Sequence, residues 1–177
     1  MSDGMLLGLF AGGLLAILLL LDLRRRLRAR SGRAPKQTLP LAVLDGSNVM
    51  HWGGDKPDLA TVAAVMRLAE ARGYVVGVIF DANAGYLLVG RYLHEAALAR
   101  ALGVKTDAVF VVPKGRQADP YLLDHARATG AILVSNDRFR DLIADYPELA
   151  VPGRRVPGGV SEGKVWVNLP DVRKLAA

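Results

Sequence analysis

Four short apolar runs, residues 41–44, 74–80, 108–112 and 131–134, constrain this chain more than any other feature. Each is too short for a helix and is apolar throughout rather than alternating, so each reads as a strand buried on both faces. The stretches between them have helical character. Asp58 stands as the cap of an amphipathic helix running to about residue 72 and closed by Gly73. A second helix is expected over residues 91–102 with Gly103 behind it, and a third over residues 120–129 closed by Gly130. A short helix from Asp137, a Pro/Gly-rich loop over residues 152–159 and an edge strand over residues 164–168 complete the pattern. Strands alternating with helices predict an α/β domain with a mainly parallel sheet and helices on both faces.

Such a sheet opens all its strand-to-helix loops at one edge, and ligands bind there. The first run ends in Asp45-Gly46-Ser47-Asn48, the second at Asp81, the third ahead of Lys114 and Asp119, and the fourth ahead of Asp137, with Asp141 four residues further on. A helix starting near Asp137 would put Asp137 and Asp141 on one face. Carboxylates gathered at one edge repel each other unless a cation is shared among them. An all-oxygen donor set selects a hard ion, Mg²⁺ or Mn²⁺. Each acid also has an ordinary local account: Asp45-Gly46 and Asp81-Ala82-Asn83 as turns, Asn48, Asp119 and Asp137 as helix caps. Four strand ends carrying the same residue type favour the shared site. Arg138 and Arg140 sit where a helix start disfavours positive charge, so they are expected to meet either substrate phosphate or the neighbouring acids. Lys114, in a Pro-Lys-Gly turn, is a further phosphate ligand or an exposed loop lysine.

The net charge of +6 is uneven along the chain. Residues 24–36 carry seven basic side chains and no acid, which leaves 16 Lys and Arg against 15 Asp and Glu from Gln37 onward. The domain is therefore nearly neutral, and a phosphate-binding surface on it must be local. No cysteine is present, which excludes disulfides, thiolate nucleophiles and zinc–thiolate sites, and His51, His94 and His125 lack ligand spacing. Residues 4–21 are free of charge. As a helix they would span about 27 Å, close to the hydrocarbon thickness of about 30 Å. The arginines that follow orient such a helix with the C-terminal domain in the cytoplasm at the cell membrane. Residues 1–23 are thus expected to be a single-pass membrane helix and 24–40 a basic juxtamembrane linker. The domain occupies 41–170 and a tail 171–177. Gly4, Gly8 and Gly12 share one helix face that would admit a second copy, giving a homodimer.

Asp45-Gly46-Ser47-Asn48-Val49, the solitary Asp119 and Ser135-Asn136-Asp137-Arg138-Phe139-Arg140-Asp141 resemble the NYN branch of the PIN-like ribonucleases, of the Regnase (MCPIP) type. The resemblance covers about residues 41–168 and implies a PIN-like, Rossmann-like fold. It implies catalytic and metal-holding roles for Asp45, Asp119, Asp137 and Asp141, with Asn48 and Lys114 positioning the RNA substrate. From position alone, Asp81 at the end of the second strand is a further metal ligand, and Arg138 and Arg140 are candidates for the RNA phosphates. The chain departs from the family pattern at Pro120, where a second adjacent aspartate is usual, and it has no zinc finger. A membrane-anchored Mg²⁺- or Mn²⁺-dependent endoribonuclease acting on single-stranded RNA is the function this implies. A PIN-like module that binds RNA or protein without cutting, and a nuclease acting on DNA, are the other classes compatible with the same residues. A haloacid dehalogenase-type phosphatase requires a second aspartate two residues after the first, and Ser47 stands there.

Overall fold

The computed structural model describes residues 39–175. The expected membrane helix, the linker up to residue 38 and the Gly4, Gly8, Gly12 face lie outside the described residues. No helix among the described residues is long and apolar enough to cross a membrane.

The four apolar runs form strands β1 (Leu41–Asp45), β2 (Val75–Phe80), β3 (Val109–Val111) and β4 (Ile132–Val134). A two-residue strand, β5 (Arg155–Val156), joins them in a parallel sheet of order β3-β2-β1-β4-β5. Side chains alternate across it, as strand geometry requires. Ala42 and Leu44 of β1 enter one apolar layer with Val76, Val78 and Phe80, while Val43 enters the other with Ile79 and Leu133. Helices α2 (Leu59–Ala71) and α4 (Glu95–Leu102) cover the first layer, and α5 (Ala118–Thr129) covers the second. The expected α/β sheet with helices on both faces is what the chain adopts.

Local signals explain the helix starts. Asp58 caps α2 by accepting from the Ala60 N–H at 2.8 Å and the Thr61 hydroxyl at 3.2 Å. That helix buries Val62, Val65, Met66 and Ala69, an i, i+3, i+4, i+7 stripe. Directly after β1 the chain makes one helical turn, α1 (Gly46–Val49). Gly46 is required there by close approach: a Cβ would meet the Phe80 ring at 2.6 Å and Val78 Cγ2 at 2.8 Å.

Four expectations about elements are corrected. The helix expected over 91–102 is shorter: α4 begins only after His94, whose Nδ1 accepts from the Ala97 N–H at 3.3 Å. A separate helix not expected from the sequence, α3 (Ala84–Val89), precedes it and stops at Gly90 in the left-handed region. Residues 164–168 do not edge the main sheet. Strand β7 (Lys164–Val167) pairs antiparallel with β6 (Gly158–Ser161), because Glu162 and Gly163 both take positive φ and close a tight hairpin between them. The edge position goes instead to β5, inside the stretch expected to be a loop. No α-helix follows Asp137: Phe139 is left-handed, with φ 47° and ψ 41°, and only a 3₁₀ turn forms at Arg140–Leu142. Asp137 and Asp141 therefore do not share a helix face.

The hairpin is tied to the body by Arg72, whose Nη1 donates to the carbonyls of Val167 at 2.6 Å and Leu169 at 2.8 Å. The segment expected as a tail holds a further helical turn, α6 (Val172–Leu175), whose first N–H donates to the Arg72 carbonyl at 3.2 Å.

Because the Gly46 position has the Phe80 ring and a Val78 methyl against it, Gly46→Ala pushes the α1 turn off the β2 side chains. Over-packing of this kind costs about 1–3 kcal/mol. The variant is expected to unfold at a lower denaturant midpoint with an unchanged m-value, read from equilibrium urea unfolding.

Candidate active site

The strand order reverses at β1. The chain proceeds outward through β2 and β3, then returns to place β4 on the opposite flank of β1. Strand ends diverge at such a switch point and leave a crevice. Asp45 is the last residue of β1, and Ser135 follows the last residue of β4 in the register Leu44↔Val134. The sheet itself thus brings together two residues that are 90 positions apart.

Asp45 is held from both sides. Its Oδ1 accepts the Asn48 N–H at 3.1 Å across the α1 turn, and its Oδ2 accepts the Ser135 hydroxyl at 2.9 Å. Ser135 is fully buried, and its Oγ also accepts the Asp137 N–H at 3.0 Å, so one hydroxyl orders two acids. Asp137 Oδ1 in turn accepts the Phe139 N–H at 2.7 Å, the bond that holds the left-handed turn at Phe139. Asp137 is thereby the anchor of a turn and not a helix cap.

Burial pushes the Asp45 carboxyl up from 3.8 to about 6. The Ser135 and Asn48 hydrogen bonds oppose this, and the nearby charges of Asp119 and Asp137 add to it. Asp119 is also raised, by burial first and then by Asp137 and Asp81. It lies inside the first turn of α5, whose cap is Gln117, so the capping account of Asp119 does not apply. Asp45, Asp119, Asp137 and Asp81 therefore occupy one electrostatic neighbourhood. The acids acting on Asp119 do not include Asp141, an exposed residue on the 3₁₀ turn.

Asn48 has a structural task. Its Oδ1 accepts the Trp52 Nε1–H at 2.8 Å and the Asn136 N–H at 3.0 Å, so only its NH₂ is left to face a ligand. Arg138 and Arg140 are exposed and form no ion pair among the described residues, which removes the neighbouring acids as the reason for their position. Lys114 is exposed in the loop after β3, close to Asp81 and Arg116 around one small cavity.

Three residues given no role from sequence support the site. Besides Ser135, Ser47 Oγ accepts the Asp81 N–H at 2.8 Å and links the ends of β1 and β2. Asn136 exchanges two bonds with Gly158, Nδ2–H to the carbonyl at 2.9 Å and Oδ1 from the N–H at 3.1 Å, holding the hairpin beside the crevice. The available signal was position alone: small polar residues immediately after a buried strand.

These donors suit a hard cation in chemistry, all being carboxylate oxygens, one of them forced toward its neutral form by burial and like charge. Among the described residues, however, no three acidic or histidine side chains stand as a ready-made cage. The acids share a crevice and a field without converging on one point.

The Zc3h12a-like ribonuclease NYN domain matches residues 38–157. The chain belongs to that family. Within this NYN domain the match runs from the residue before the described fold to the residue after β5, so it contains Asp45, Asp81, Asp119, Asp137 and Asp141 and stops short of the β6–β7 hairpin. No curated protein matches the chain. Among solved structures it is similar to the crystal structure of nuclear proteinaceous RNase P 2 (PRORP2) from A. thaliana. The identity is 17% and the TM-score 0.58, over 75% of this chain and 30% of that one. A second structure, Arabidopsis thaliana nuclear protein-only RNase P 2, is 17% identical with a TM-score of 0.54, over 92% of this chain and 36% of that one. The chain spans about a third of the length of these structures, and the likeness is one of fold.

The raised Asp45 carboxyl makes a signed prediction for the NYN domain. The folded state binds that proton more tightly than the unfolded chain, so its contribution favours folding below about pH 4 and is lost as pH rises through about 6. Above that, the ionised carboxylate costs the fold about 3 kcal/mol. Asp45→Asn, measured in EDTA by chemical unfolding, is expected to be more stable than the wild type at pH 7.5 by up to that amount, and to lose the advantage near pH 4. Equal stability at both pH values would contradict the assignment.

Proposed function

We propose that this NYN domain is a metal-dependent endoribonuclease that hydrolyses phosphodiester bonds in single-stranded RNA and is held at the cytoplasmic side of the cell membrane by residues 1–23. The observation that carries it is the half-buried Asp45 carboxyl, lifted by burial first and further by the nearby charges of Asp119 and Asp137. A carboxylate that costs folding stability at neutral pH, with Asp119 and Asp137 acting on it, is an arrangement a bound cation relieves.

Asp45, Asp119 and Asp137 are the residues that would hold Mg²⁺ or Mn²⁺, with Asp141 and Asp81 as further donors. Such an ion supplies charge for the scissile phosphate and lowers the pKa of a bound water. The chain's own residues do the positioning. Ser135 and the Asn48 N–H fix the direction of the Asp45 carboxylate, and Ser135 holds the backbone of Asp137 beside it. The Asn48 NH₂ and Lys114 bind phosphate or ribose oxygens at the crevice, and Arg138 and Arg140, exposed and without acidic partners among the described residues, take the flanking phosphates. Near-neutral charge over the domain means modest affinity and a shallow dependence on salt. Tethering would offset that weakness by concentrating the domain where its RNA is presented, and in a membrane helix Gly4, Gly8 and Gly12 would share a face for pairing two tethered copies.

The test is cleavage of a fluorescent single-stranded RNA and of the matched DNA, with Mn²⁺ and with EDTA. Cleavage of the RNA alone, abolished by EDTA and restored by added Mn²⁺, is expected. Loss of several kcal/mol of transition-state stabilisation in Asp45→Asn or Asp137→Asn corresponds to at least about 100-fold in rate. RNA that is bound but never cut under any of these conditions would leave a binding module in place of the enzyme.

A further inference from the structure

Tyr86 on α3 and Tyr92 in the loop before α4 are large aromatic side chains left 53% and 45% exposed. Their hydroxyls have no hydrogen bond among the described residues, so nothing within the domain accounts for their being held at the surface. Both rings line a cavity of about 190 Å³, together with Asp81, Asn83, Lys114 and Arg116. Lys114 and Arg116 are exposed, and their side chains pair with no acid among the described residues. The cavity adjoins the acidic crevice: Asp81 is on its wall, and Asp81 is one of the charges acting on Asp119.

We propose that this cavity is a subsite for one unpaired nucleotide of the RNA, next to the one that is cut. Its base stacks on Tyr86 and Tyr92, and an adjoining phosphate lies against Lys114 and Arg116. Size decides the class of occupant. A drug-sized ligand needs about 300 Å³ or more, so this cavity takes a single ring system and not an extended molecule. Chemistry decides the rest. Two aromatic faces beside two unpaired cations is the combination that holds single-stranded nucleic acid, since every base offers a π-face and every linkage a negative charge. Asn83 adds an amide with both a donor and an acceptor, and its side chain makes no hydrogen bond among the described residues, so it is available to a base edge. Base pairs cannot enter, so the subsite requires an unpaired base at that position. This inference rests on the reading of the protein as an RNA-cutting enzyme and adds the position at which the substrate must be single-stranded.

The experiment is equilibrium binding of a short fluorescein-labelled single-stranded RNA to the full chain in detergent, in EDTA so that nothing is cut. Tyr86→Ala and Tyr92→Ala are each expected to weaken binding by about tenfold, with the Phe variants within about twofold of wild type because the ring face is kept. Lys114→Ala with Arg116→Ala is expected to make the slope of log K against log salt shallower by about 0.7, the value for one phosphate contact on a single strand. An abasic nucleotide moved along the RNA needs no altered protein and should find one position at which loss of the base weakens binding by a similar factor.

Unchanged binding in both alanine variants, or an abasic scan with no sensitive position, overturns the subsite. If the wild type cuts RNA and the scan is flat, the nuclease reading stands without it. If the scan finds its position and the wild type never cuts in Mn²⁺, the subsite stands and the enzyme does not.

Discussion

A half-buried carboxylate at the end of the central strand is the constraint around which the crevice is arranged. Asp45 must be kept in one direction while surrounded by apolar strands and other acids. The protein does this with a backbone N–H from the turn that follows it and a hydroxyl from a strand that arrives 90 residues later. Neither bond overcomes the cost of burial, which still holds the group well above its ordinary range. The site therefore carries an unfavourable term that the rest of the fold must offset, a pattern common where side chains are arranged for chemistry and not for stability.

The same logic extends outward through short links. Ser47 joins the end of β1 to the end of β2, Ser135 joins Asp45 to Asp137, and Asn48 joins α1 to Trp52 and to the loop after β4. Each of these side chains satisfies backbone or ring N–H groups that would otherwise be left at a sheet edge where the ladder has ended. Reaction geometry and backbone satisfaction are thus supplied by the same few atoms. A change at Ser135 would alter the direction of two acids together.

Charge is distributed to match. From Gln37 onward, basic and acidic residues nearly balance, so no long-range field draws RNA to the domain. Lys114, Arg116, Arg138 and Arg140 are exposed cations with no acidic partner among the described residues. Placing them in the loops after β3 and β4 puts them at the opening of the sheet, beside the acids and not over them.

The sequence by itself determined the class of fold and the edge at which the acids lie. Continuous apolar runs can be buried on both faces only in a covered parallel sheet, and parallel connectivity sends every following loop the same way. It did not determine the order of the strands, the hairpin of β6 and β7, the two-residue β5, or the left-handed turn at Phe139, because these depend on pairing and on one hydrogen bond from Asp137 that leave no periodic trace. Nor did it assign Ser135 a task. Only the tertiary structure, by reversing the strand order at β1, set that hydroxyl against Asp45 and made an acid at a strand end into a group whose charge is costly to keep.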